Sequence, residues 1–424
     1  MARAMKDSGV EWIGKIPEEW NVRKLKSIAK IQTGNTPDKT NESYYTDDEG
    51  LMWVKSDNLN GIVPITNTAE RLTEEGSKVA RIALKGSTLV CCIGSIGKYG
   101  IADTDVAYNQ QINSVTFDKN VVLDKFGTYL IAVSESQHWL YANGNVLKIL
   151  NNEGQGKIVY AVPDLKEQKR IVKFLDDKIG EIDTTLLKTK ESIEEYKKYK
   201  NAVVAETITR GLDKSVSMKE SGIEWVGEIP NHWKVHALSQ IFIQLKNKNS
   251  DLSETNLLSL SYGKIKRKDI NSLDGLLPES FDSYNIIDKN DIVLRLTDLQ
   301  NDHKSLRVGH VKERGIITSA YITLRCKEDI ATDYYYYFLH TFDIFKGFYG
   351  MGAGVRQGLN YEGIRGMKIL SPDIKEQREI VEYLNAKCAE IDALIAKKEA
   401  FVEEMEAYKK SLIYEYVTGK KEVL

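Results

Sequence analysis

At 424 residues the chain is too long for one ordinary domain and calls for two or three. With 42% hydrophobic and 28% charged residues it can fill more than one core, and no apolar run nears the ~20 residues that cross a bilayer. The net charge of −2 excludes an overall basic footprint, so any DNA contact must come from Lys and Arg gathered on one face or from a partner's charge.

The polar start, Met1 to Gly9, lacks the apolar core of a signal peptide, and a cytoplasmic protein is expected. Cys91, Cys92, Cys326 and Cys388 form no C-x-x-C pair, and the six histidines show no H-E-x-x-H spacing. Reduced structural thiols are expected, with no metal and no cofactor bound by this chain.

The first element is a Trp-bearing segment, Lys6 to Trp20, reading KDSGVEWIGKIPEEW. An arm of mixed α/β character follows. Thr88 to Ile93 and Ile112 to Phe117 are short β runs, separated in part by the glycine turn Gly94 to Gly100. A helical segment is expected around Asp124 to Leu140. Pro163 then opens P-D-L-K-E-Q, in which Asp164 and Glu167 form a capping-box start: the Asp accepts from an orphan N–H and the Glu reaches back. Ile171, Leu175, Ile179, Ile182, Leu186, Ile193, Tyr196 and Val203 continue the chain as the seam of a coiled-coil-like helix.

From Lys219 the pattern begins again. KESGIEWVGEIPNHW, ending at Trp233, matches the first segment 213 positions on, in register at both tryptophans, both glycines and the proline. Trp12, Trp20, Trp225 and Trp233 are read as packing anchors where each arm meets its helix. The second arm carries β runs at Asp291 to Leu296 and Ala320 to Arg325, a helical segment around Asp333 to Phe345, and a glycine-rich stretch from Gly347 to Gly358. Pro372 reopens the helix as P-D-I-K-E-Q, 209 positions after Pro163. Its seam is Ile380, Leu384, Cys388, Ile391, Ile395, Val402, Met405 and Leu412.

A helix of about 44 residues rising ~1.5 Å each is ~65 Å long, more than a small domain is wide. Each seam needs a partner, and the other helix is the cheapest one. The expected fold class is therefore α+β: two globular α/β arms separated by a long antiparallel two-helix coiled coil, in a pseudo-twofold internal repeat. The expected divisions are 1–162 for the first arm, 163–212 for the first long helix, 213–371 for the second arm and 372–424 for the second long helix.

Catalytic motifs are not found. The string nearest to a Walker A loop has Cys92 and Tyr99 where Gly and Ser/Thr are required. Asp164, Glu167 and Lys169 sit within one helical turn, too close for a nuclease metal site fed by separate strands. A non-enzyme is expected.

Several segments resemble target-recognition signatures. In the first arm these are Thr33-Gly-Asn-Thr-Pro37, Trp53-Val-Lys-Ser-Asp57, Gly94-Ser-Ile-Gly-Lys98 and Tyr108-Asn-Gln-Gln-Ile-Asn113. The second arm lacks G-x-T-P and shows Gly354-Val-Arg-Gln-Gly-Leu-Asn-Tyr361, similar to a second subgroup. In this order and in a doubled frame, the chain resembles the specificity subunit of type I restriction–modification systems. The resemblance implies two target-recognition domains, each reading half of a bipartite double-stranded DNA site. It also implies two modification (methyltransferase) subunits on the helical frame, which carry the S-adenosylmethionine chemistry, and restriction (motor-nuclease) subunits as further partners. No membrane partner is expected. A ~65 Å strut equals about 19 base pairs as an upper bound, and half-sites one DNA turn apart, ~34–36 Å, fit it. Unlike arms imply an asymmetric site.

Amide and guanidinium groups suit base edges. In the first arm the DNA-binding candidates are Thr36, Lys55, Ser56, Asn58, Ser95, Lys98, Asn109 and Gln110. In the second they are Tyr262, Lys264, Lys266, Arg267, Arg295, Asn301, Arg356, Gln357 and Asn360. Alternative readings stand beside them. Asn109 and Gln110 could satisfy loop backbone, Asp57 could cap a turn, and Lys264 to Lys268 could be a solvated face. The competing functional reading is a coiled-coil scaffold that binds two protein partners without DNA readout. The near-neutral charge fits the scaffold, and the arm motifs fit the DNA reader.

Overall fold

The structure, a computed structural model, describes residues 3–271, 278, 280–299, 302, 306–328, 331–351 and 358–423. It divides into two compact units, Met1–Thr189 with Ala400–Leu424, and Lys190–Glu399. Both long helices therefore contribute to both units. The first helix runs Leu165–Arg210 and the second Ile374–Val417, 46 and 44 residues.

In the first unit, one five-stranded sheet is ordered Ala29–Thr33, Ile112–Phe117, Thr88–Cys91, Tyr99–Ala102, Pro64–Ile65. A second runs Tyr45–Thr46, Arg71–Leu72, Leu51–Val54, Val106–Tyr108, Ile82–Ala83. Each mixes antiparallel pairs with one parallel pair. Met52, Val54, Leu89, Cys91, Tyr108 and Ile112 form a core drawn from both sheets. The expected helical segment is two helices, Asp124–Ala132 and Glu135–Leu140. Phe126, Tyr129 and Leu130 of the first helix join Val90, Val115 and Phe117 in a core shared with Ile171, Leu175 and Ile179 of the first long helix and Leu412, Ile413 and Val417 of the second.

The second unit centres on a four-stranded antiparallel sheet ordered Phe242–Leu245, Ile322–Cys326, Ile292–Leu294, Val308–His310. Beside it lie the hairpin Leu258–Ser261/Lys264–Arg267 and the pair Asn285–Ile287/Gly315–Ile317. Helix Thr332–Ile344 buries Tyr334, Tyr335, Phe338 and Leu339 against the sheet and against Ile208, Ile380 and Leu384 of the long helices.

The long helices run antiparallel within each unit. In the first, Phe174 stacks near Tyr416 (4.5 Å between centroids) and Lys409 meets Asp183 at 2.5 Å. In the second, Lys398 lies over the Tyr196 ring at 5.6 Å and Lys200 meets Asp392 at 2.5 Å. As numbers rise on one helix they fall on the other. Of the predicted seam, Ile171, Leu175, Ile179, Ile182, Leu186 and Ile193 are buried on the first helix, and Ile380, Leu384, Cys388, Ile391, Ile395 and Leu412 on the second. Each such side chain contributes about 1.5–3 kcal/mol. Tyr196, Val203, Val402 and Met405 are only half-buried, and Val204 takes the buried position beside Val203.

The repeat is repeated in contacts. Asn21–Lys24 pairs with Val159–Val162, and Lys234–Ala237 with Lys368–Ser371, so in each arm the strand after the Trp-bearing segment meets the last strand just before the long helix. Both helix starts correct the expected capping box. Asp164 and Asp373 do cap, accepting from the Glu167 and Glu376 N–H at 2.8 and 2.9 Å. The glutamates turn instead to the tryptophans: Trp20 Nε1 donates to Glu167 at 3.0 Å and Trp233 Nε1 to Glu376 at 2.9 Å. An indole N–H fully shielded from water needs an acceptor, and in each half the helix-start carboxylate is that acceptor. Gln168 and Gln377 complete the motif by donating to Pro163 O and Pro372 O, both at 2.9 Å. Trp12 and Trp225 pack on the arms, against Tyr160 and against Phe338 and Phe342.

Candidate nucleic-acid interface

In the first arm, segments far apart in sequence converge. The Thr33–Pro37 loop is pinned to the 108–113 segment by Gly34 N to Ile112 O (2.9 Å) and Asn35 N to Tyr108 O (3.1 Å). Only a glycine fits this approach, since a Cβ at Gly34 would lie under 3.0 Å from the carbonyl oxygens of Tyr108 and Asn109. The approach brings Thr36 Oγ1 into hydrogen bonding with exposed Gln110. Asn109 N bonds Val54 O at 3.1 Å, which ties in the Trp53–Asp57 segment. Lys98 Nζ donates to Ser56 O at 2.8 Å and ties in the Gly94–Lys98 turn, where Ser95 is exposed. Thr36, Lys55, Ser56, Ser95, Lys98 and Gln110 are thus placed on one set of adjoining loops.

Two amides in that set are already spent. Asn109 is buried; its side chain accepts from Gln111 N (3.1 Å) and donates to Gln111 Oε1 (3.2 Å), which is the backbone-satisfying alternative. Asn58 accepts from Lys55 N at 2.8 Å and holds the short 3-10 turn Ser56–Asn58.

Two cations here, Lys39 and Arg81, were not singled out from sequence. Lys39 and Lys55 share the Glu70 carboxylate, and both lie over the Trp53 ring, at 4.5 and 4.9 Å. Hydrogen bonds from Lys39, then Lys55, hold the Glu70 carboxyl below the usual range. Exposed Arg81 bonds Thr33 O and donates its N–H to Asn35 Oδ1 at 2.7 Å, so it flanks the same loop. The only sequence signal for these two residues is their charge, because most of their partners lie 14 to 48 residues away.

In the second arm, Tyr262, Lys264, Lys266 and Arg267 belong to one hairpin. Tyr262 sits at its tip, 71% exposed with φ +47°. Lys264 and Lys266 point outward while Ile265 packs inward. Arg267 is held by Glu313, with Nε at 2.8 Å from both oxygens, which lowers the Glu313 pKa and offsets that charge. The hairpin tip meets Leu306 through Gly263 N to Leu306 O (3.1 Å). Arg307 O then accepts from Arg295 N at 2.9 Å, and Leu296 O from Leu359 N at 2.9 Å. The hairpin, Arg295 and Asn360 are thereby linked through neighbouring backbone. Asn360 itself caps helix Tyr361–Ile364, accepting from Gly363 N at 3.0 Å. Asn301, Arg356 and Gln357 lie outside the described residues.

Among the described residues no group of His, Cys, Asp or Glu is arranged to hold a metal ion, and no helix is long and apolar enough to cross a membrane. Cys91, Cys92 and Cys388 are buried free thiols, and burial pushes the Cys92 thiol up to about 12.

Residues 17–195 match the type I restriction modification DNA specificity domain. The type I restriction enzyme MjaVIII specificity subunit of Methanocaldococcus jannaschii is 25% identical, over 96% of this chain and 94% of that protein. Residues 17–195 thus carry a type I restriction modification DNA specificity domain, and nearly the whole chain is similar to type I restriction enzyme specificity subunits. The MjaIX specificity subunit of the same organism aligns over less, 26% identical across 39% of this chain and 40% of that protein. A chain solved in work on complex assembly and conformational transition of the type I R-M system superposes with a TM-score of 0.68. It covers 96% of this chain and 99% of that chain at 13% identity, a likeness of fold.

Proposed function

We propose that each arm of this specificity subunit reads one half of an asymmetric, bipartite DNA site, and that the long helices dock two methyltransferase subunits. Those partners carry S-adenosylmethionine and the methyl transfer, and restriction subunits join the same assembly in the cytoplasm. The observation that supports this reading is the convergence of four separated loops in the first arm, where Thr36 bonds exposed Gln110 and exposed Lys98 bonds Ser56 O next to exposed Ser95. Amide, hydroxyl and ammonium groups so placed suit base edges and phosphates. The unlike second arm, with its Tyr262–Arg267 hairpin, suits a different half-site. The arm-to-helix joint occurs twice with the same Trp–Glu bond, and a repeated surface suits two copies of one partner.

The test is an exchange of residues 29–158 for the matching region of another specificity subunit, followed by mapping of methylated bases in host DNA. One half of the motif should change and the other stay fixed. A continuous or palindromic motif, or a change in both halves, overturns the reading.

A further inference from the structure

Arg307 is fully buried, and it attracts no notice in the sequence. All five of its guanidinium N–H groups have acceptors. Nη1 donates to Arg295 O (3.1 Å) and Thr297 O (2.7 Å), and Nη2 to Asp298 O (3.2 Å) and Asp302 O (2.5 Å). Nε donates to Tyr349 OH at 3.1 Å, and that phenol in turn donates to Asp302 O at 3.0 Å. The Arg307 N–H is held by Asp343 Oδ2 at 2.5 Å. Residues 295–299 and 302 therefore wrap a planar, rigid fork, with Leu296 and Leu299 buried beneath.

Taking a guanidinium out of water is costly, and an apolar side chain could fill the same volume without that cost. What arginine adds is geometry: a fork that fixes four carbonyls at once. Half-buried Arg295 is carried on that wrapped segment, and the exposed hairpin tip at Tyr262 abuts it through Leu306.

We propose that Arg307 is a positioning residue for DNA readout by the second arm: it sets the path of residues 295–299 and so the place at which Arg295 meets DNA. The proposal rests on the DNA-reading role given above. The experiment expresses Arg307→Lys, Arg307→Met and Tyr349→Phe chains with their methyltransferase partners. It maps host methylation and follows the melting of each purified chain.

Selectivity at bases of one half-site should relax about tenfold or more in the Arg307 variants, a loss of the size of one base contact. It should relax a few-fold in Tyr349→Phe, with the other half-site as stringent as in the wild type. Folded variants that keep the wild-type motif overturn the proposal, as does lowered melting with an unchanged motif. If neither Arg307 variant folds, Tyr349→Phe decides, and an unchanged motif in it overturns the proposal. A wild-type chain that directs no sequence-specific methylation sinks the DNA-reading assignment instead.

Discussion

Gly34→Ala offers a sharp probe of the first arm. The added methyl would sit under 3.0 Å from two carbonyl oxygens and 2.7 Å from Tyr108 Cδ2. Backbone cannot yield as a side-chain tip does, so the Thr33–Pro37 loop must lift away. Lifting breaks the Gly34–Ile112 and Asn35–Tyr108 hydrogen bonds, about 1 kcal/mol each, and releases Thr36 from Gln110. With residual crowding of about 1 kcal/mol, the loss is about 2–3 kcal/mol, or roughly 4–12 °C in melting temperature for a unit of this size. The functional effect should be confined to one half-site, where discrimination at the affected base falls by about 1–3 kcal/mol. Thermal melting and methylation mapping read both quantities. Gly180→Ala is the control: nothing lies within 4 Å of its new Cβ on the first long helix, and it should stabilise by about 0.5–1 kcal/mol. A Gly34→Ala chain with unchanged melting and an unchanged motif refutes the close-approach reasoning.

Two further outcomes follow from buried groups. Burial depresses His138 in the first unit and His340 in the second to about 4. The unfolded chain takes up protons below about pH 6.5 that the folded chain refuses, so stability is full above that pH and falls towards pH 4, by up to about 3 kcal/mol per histidine. Acid melting of His138→Leu should show a shallower decline than the wild type, and an identical pH profile would contradict the burial argument. Glu167→Ala should cost about 2–3 kcal/mol, because it leaves the buried Trp20 N–H without an acceptor and removes one of the two carboxylates that hold Arg3 (2.6 and 2.8 Å), Glu19 being the other. Glu376→Ala should cost less, since its other partner is the more exposed His232. Urea unfolding ranks the two, and a reversed order rejects the comparison.

The frame was legible because it is periodic and doubled. Pro163 and Pro372 mark helix starts that the structure places within two residues, and most of the two seams is buried. The role of Glu167 was not legible, because its indole partner lies 147 residues away and a capping box is the nearest local use for a carboxylate. The candidate interface was legible as segments that converge in the fold and less so as atoms. Asn58, Asn109 and Asn360 have the amides that base reading needs, yet the same amides close turns and caps. Nothing in a linear string separates a spent amide from an available one. Arg307 lies in R-V-G-H, which reads as the start of a strand, and its five acceptors come from other segments.

The last turns of the second helix are built into the first unit. Tyr414 donates to Trp12 O at 2.8 Å, Lys420 bonds Ile13 O and Lys15 O, and Gly419 packs on Pro17 and Trp20. During synthesis, residues 190–399 emerge as one uninterrupted stretch, ahead of residues 400–423. The unit begun earlier has to wait, its Trp12–Trp20 seat half-empty, until residues 400–423 arrive. Loss of those residues would therefore harm the arm made first and spare the one made second.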